Sequence, residues 1–187
     1  MNMDKPEIEN LTEQRGGEWG INHTRRLLKL VEQIGAGLQY NQEAVWIAAH
    51  LHDWGAYAPW AQKGVDHVVR STQVAEDYLT AHDCPADLKA LILECVALHH
   101  TAGSERSPEA TLLRDADGLD FLGVVGVLRD ISKNPRDLRL AYEQVKKRRA
   151  TVPPMLQLAA SQAMAAERVQ RMDQLLKDFE AETFGLF

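Results

Sequence analysis

An excess of basic residues, a pairing pattern of cysteines, long apolar runs and strand-like alternation are all missing from this chain of 187 residues. Each absence excludes something. With 21 Lys and Arg against 27 Asp and Glu, the formal net charge is −6. A protein that grips extended nucleic acid through a basic surface is therefore not expected. A small anionic substrate stays open, because a bound metal can reverse the local field. The two cysteines, Cys84 and Cys95, show no pairing pattern, so reduced thiols and a cytoplasmic setting are expected. The stretch MNMDKPEIENL has neither a basic start nor an apolar core, so no signal peptide is expected. No apolar run is long enough to span a bilayer, and no membrane partner is expected. Internal repeats and low-complexity tracts are absent as well.

What remains is a sequence of ordinary soluble composition, 45% hydrophobic and 26% charged. Its length suits one domain with a sizeable core. The expected organisation is a single domain over 1–187, with a core at about 20–130 and helices over 135–183 packing on it. The patterning is helical throughout. Leu27, Leu30, Val31 and Ile34 mark a helix from Trp19 that stops at Gly35. Asn41 caps a second helix, whose run AVWIAAHL is apolar on every side and reads as buried all round. That helix ends at His52-Asp53, ahead of a loop with Gly55 and Pro59. A third covers 66–81, and a fourth begins near Pro85 and aligns Leu88, Ile92, Cys95 and His99. Ser107-Pro108 opens a fifth that runs through Asp117 toward Leu128. Its glycines Gly118, Gly123 and Gly126 would let backbones approach closely, at about 1 kcal/mol of helix propensity each. A sixth starts at Asn134-Pro135 and ends in the basic run 146–149, read as a solvated helix end. After Pro153-Pro154 a long amphipathic helix covers 155–182. Its apolar stripe suits core packing or a homodimer contact.

The histidines carry the chemistry. His23 lies on the apolar stripe of the first helix. His52-Asp53 joins a borderline nitrogen ligand to a hard carboxylate oxygen, a ready pair for a divalent metal. His67 and His99 lie on faces that otherwise look buried, and Asp117 follows in LLRDADGLDFLG. Burying an imidazole without a partner costs roughly 1–3 kcal/mol. Several imidazoles pointing inward from separate helices therefore call for a shared metal, held between helices as bundles do. Asp117 and Asp120 share one helical face. Asp117 is assigned to the metal, while Asp120 could orient a ligand, accept a helix cap or pair with an arginine. Lys63, Arg70 and Arg129 are the cations best placed for a phosphoryl group. His82-Asp83 is read as a loop and helix cap. Trp54 and Trp60 flank the site loop as core or pocket wall, or as platforms for a base.

The order His23, His52-Asp53, Asp117, with the run DADGLDFLGVVGVLRD and the tail AAERVQRMDQLLKDFEAE, resembles the HD-domain superfamily of metal-dependent phosphohydrolases in its small single-domain bacterial form. The likeness runs from about residue 20 to 183. Gly118 departs from it, since those members often carry arginine there. The resemblance implies an all-α, compact multi-helix HD-domain bundle with the metal site between helices. It implies one or two divalent ions (Mn, Mg, Fe, Ni, Co or Zn): the first on His23, His52, Asp53 and Asp117, and His67 and His99 as the ligands of a second where there is one. His52, Asp53 and Asp117 would be the catalytic set. The expected activity is hydrolysis of a small phosphorylated compound such as a nucleotide. Two alternatives remain: a di-iron oxygenase of the same superfamily, using His67 and His99, and a non-catalytic nucleotide-binding module.

Overall fold

Side-chain caps mark where several of the helices begin. The computed structural model describes residues 3–101, 103 and 105–187. Among them it holds eight α-helices, two single turns of 3-10 helix and no strand. None of these helices is long and apolar enough to cross a membrane. The chain forms two compact units, divided between Arg114 and Asp115.

The first unit contains α1 (Lys5–Ile34), α2 (Gln42–Leu51), α3 (His67–Ala81), α4 (Ala86–Leu98) and the first half of α5 (Pro108–Asp120). α1 begins well before the expected Trp19. Asp4 caps it by accepting the Glu7 N–H (3.1 Å), and Pro6 sits in its first turn. A kink at Gly17 (φ 61°, ψ −167°) joins two helical stretches. α2 is capped by Asn41, which accepts the Ala44 N–H at 3.0 Å. It is buried from Ala44 through Leu51 except at Trp46, as its all-round apolar sequence requires, and packs between α1 and α4. Glu109 fixes the start of α2 from α5, its Oε1 accepting the Asn41 N–H (2.6 Å). The Ser107 cap stands as expected, accepting the Ala110 N–H at 3.1 Å.

The second unit contains the end of α5, α6 (Gly123–Lys133), α7 (Leu138–Thr151) and α8 (Ala159–Glu182). The expected continuous helix toward Leu128 is broken here. Leu122 is extended (ψ 162°) and Gly123 takes φ +74°, the left-handed region that favours glycine. The chain therefore turns and restarts. Asp137, two residues past the expected Pro135, caps α7. α8 starts later than expected, after a 3-10 turn at Pro153–Met155. Its N-cap residue Leu158 has no capping side chain. Asp115 supplies the cap from α5 instead: its buried carboxylate accepts the N–H groups of Gln157 (3.0 Å) and Leu158 (2.8 Å). Asp115→Ala is expected to lower unfolding stability by about 1–3 kcal/mol, as loss of a buried charged acceptor does. Thermal or urea denaturation measures it.

Candidate metal centre

The helix ends that carry the histidines share one device. His52 is the C-cap of α2, and its Nδ1 lies 2.9 Å from the Ala49 carbonyl. His99 is the C-cap of α4, and its Nδ1 lies 2.6 Å from the Val96 carbonyl. A carbonyl can only accept, so each Nδ1 carries the proton and each Nε2 carries the lone pair that a metal needs. His23, buried midway along α1, brings its Nε2 to 3.3 Å from His52 Nε2.

Asp53 sits among these rings. Its Oδ2 lies 3.4 Å from His52 Nε2 and 3.9 Å from His23 Nε2, while its Oδ1 lies 3.9 Å from His67 Nε2. The rings of His52 and His99 are 5.1 Å apart, those of His67 and His99 5.8 Å, and His100 joins His67 at 4.9 Å. Two sets of donors result: His23, His52 and Asp53, and His67, His99 and His100. Nitrogen lone pairs beside a carboxylate suit borderline divalent ions. His99 is buried, as expected from the apolar row of α4, and His100 is exposed, yet both rings lie near His67.

The loop after Asp53 holds His67 in range. Trp54 is fully buried, and its Nε1 donates to Thr12 Oγ1 (3.0 Å) on α1. Gly55 donates its N–H to Ser71 Oγ (2.9 Å). A Cβ on Gly55 would stand 2.2 Å from Ser71 N and 2.7 Å from the His67 carbonyl oxygen. Only glycine lets the His-Asp loop lie directly on the α3 backbone. Asp66 caps α3, and the Val68 N–H holds its carboxylate below the usual range.

Other expected site residues have different surroundings. Asp117 is buried on α5, within the second unit. Lys63 lies exposed in the turn before α3. Arg70, expected at a phosphoryl group, donates from Nε to the Trp60 carbonyl (2.7 Å) and from Nη1 to Gln73 (3.1 Å). Arg129, expected in the same role, pairs through Nη1 with Asp120 Oδ2 and lies over the Phe121 ring. Asp120 thus takes the arginine option among its three readings. Trp54 cannot meet a base, being buried. Trp60 stacks on it (4.6 Å), with the Arg15 guanidinium 5.8 Å from the Trp60 ring. His82 is the C-cap of α3, as expected. His50, which the sequence reading passed over, is a core residue on Trp46; burial lowers its pKa.

A family model described as the HD domain matches residues 20–122, a span that includes every one of these histidines and both Asp53 and Asp117. The chain belongs to the HD-domain family. Among solved structures, this HD domain is similar to a predicted HD superfamily hydrolase from an uncultured Thermotogales bacterium (23% identity over 95% of this chain and 92% of that one, TM-score 0.70). It is similar to a Lactobacillus plantarum protein (18%, 99% and 100%, 0.76) and to Bacillus subtilis YpgQ in complex with ADP (18%, 95% and 93%, 0.72). These are likenesses of fold. No curated protein matches the chain.

Two outcomes are expected. His52→Ala weakens binding of added Mn²⁺ by more than the roughly 10–100-fold typical of losing an outer-shell partner, read by calorimetric titration. Gly55→Ala costs about 1–3 kcal/mol through overpacking, read by denaturation.

Proposed function

We propose that this HD-domain protein is a metal-dependent phosphohydrolase acting on a small phosphorylated compound, a nucleotide being the first class to try. The observation that carries the reading is Asp53, whose two oxygens face two different groups of imidazoles. Under this reading His23, His52 and Asp53 hold a divalent ion, and Asp117 joins them by its place in the motif. His67 and His99 serve a second ion. Bound there, the metal would supply Lewis acidity toward a phosphoryl oxygen and an acidified water near neutral pH. The chain's own residues set the geometry. The Ala49 and Val96 carbonyls orient His52 and His99, Asp53 offers one oxygen to each side, and the Gly55 contact keeps His67 in range. Lys63, exposed, is a candidate cation for the substrate phosphate, beside Arg70 and Arg129. ADP bound to YpgQ, a protein of the same fold, supports nucleotides as the class. An extended nucleic acid or a membrane is not a proposed partner.

The imidazole-rich second group gives a specific ground for the di-iron oxygenase reading, and one experiment separates the two. Phosphate and pyrophosphate release is measured over a panel of nucleotides and sugar phosphates with Mn²⁺, beside Asp53→Ala. The expected result is turnover in the wild type. Loss of several kcal/mol of metal assistance then slows the variant about a thousandfold. No turnover, with two irons in anaerobically purified protein and oxygen consumption with a polyol or phosphonate, selects the oxygenase. Nucleotide binding without turnover selects the non-catalytic module.

A further inference from the structure

The chemistry proposed above gives no role to His100. This residue follows the C-cap of α4, and its ring lies 4.3 Å from that of His99 and 4.9 Å from that of His67. Adjacency in the chain accounts for the first distance. It does not account for the second, since His67 opens another helix, α3. One nitrogen from each of the three rings can be chosen so that all lie within 4.8 Å of one another. All three residues belong to the first compact unit.

Two nitrogens on one tetrahedral ion stand about 3.4 Å apart, given metal–nitrogen bonds of about 2.0–2.1 Å. The set therefore has to draw in by about 1.4 Å at most. The rings that would move are the ones with room to do so. His99 is buried, and the Val96 carbonyl holds its Nδ1, so its Nε2 is the fixed donor. His100 is exposed and His67 partly so, which lets both turn about their side-chain torsions. Carboxylates flank His67 on both sides. Asp53 Oδ1 lies 3.9 Å from its Nε2, and Asp66 Oδ2 lies 3.9 Å from its Nδ1. Negative charge placed there favours a cation.

The donor atoms set the class of ion. The first group mixes two imidazoles with a carboxylate, whereas the second offers three imidazoles. Imidazole nitrogen suits Zn²⁺ and Ni²⁺, while Mg²⁺ and Mn²⁺ prefer oxygen. Three protein ligands on an exposed flank also leave a position for water.

We propose that His67, His99 and His100 form a three-imidazole site that takes Zn²⁺ or Ni²⁺ in preference to Mg²⁺ or Mn²⁺, with exposed His100 as its third ligand. The inference rests on the reading above only in that His67 and His99 serve a second ion. Calorimetric titration of Zn²⁺ into the metal-stripped full chain tests it. His100→Ala and His67→Ala run beside the wild type, Mg²⁺ serves as competitor, and circular dichroism checks each fold. The wild type is expected to take two ions per chain. Each variant should keep one at wild-type affinity and bind the other about tenfold or more weakly, the effect of losing 1.4 kcal/mol. Excess Mg²⁺ should leave that second ion in place in the wild type. The proposal is overturned if no ion depends on His100, or if Mg²⁺ displaces the ion that does. It is also overturned if His67→Ala retains that ion, which would mark a chance surface site. Phosphate release from the same samples keeps the two readings apart. Turnover with binding unchanged in His100→Ala overturns this inference alone. Binding that depends on His100, in a wild type without turnover, overturns the phosphohydrolase reading alone.

Discussion

The contact between Gly55 and the backbone of α3 is the constraint on which the metal-centre geometry depends. A loop that carries one proposed ligand has to be held at a fixed distance from a helix that carries another. Side chains could do this only through rotamers, which carry their own freedom. Backbone against backbone leaves almost none. Ser71 Oγ takes the Gly55 N–H, Trp54 fills the core on one side, and Arg70 grips the Trp60 carbonyl on the other. Asp53 and His67 are thereby placed by main-chain packing.

A second economy lies in the histidines at helix ends. A helix terminus leaves carbonyls without intrahelical donors, and a metal-ligating imidazole needs a partner for its second nitrogen. His52 and His99 answer both needs with one bond each. A neutral imidazole donates to the carbonyl three residues back, and the same bond aims Nε2 at the centre. The alternation of apolar helix and terminal histidine in AVWIAAHLHD is the sequence form of this arrangement.

Much of this was legible in the sequence. Asn41 and Ser107 announce their helices through ordinary cap chemistry, and α2 reads as buried because no face of it is polar. His23, His52, Asp53, His67 and His99 could be grouped because each lies on an apolar stripe or at its end. What escaped was set by long-range partners. Residues 5–16 precede the helix read from Trp19, yet they are helical, capped by Asp4 and tied to Trp54 through Thr12. The break before Gly123 depends on a left-handed φ that composition does not announce. Arg70 and Arg129, chosen as cations for a phosphoryl group, also have partners in the chain, ten and nine residues away, that local spacing does not reveal. Asp115 gave no sign of capping a helix more than forty residues on.

The helix-end histidines have one more consequence. Last turns are the parts of a helix that fray first, and here they bear the proposed ligands. Ions held by His52 and by His99 would bind only the closed forms of those turns, so their binding energy would appear as protection of the ends of α2 and α4. Amide exchange near Leu51 and Leu98 would then follow occupancy of the centre, and helix fraying and metal release would be two views of a single equilibrium.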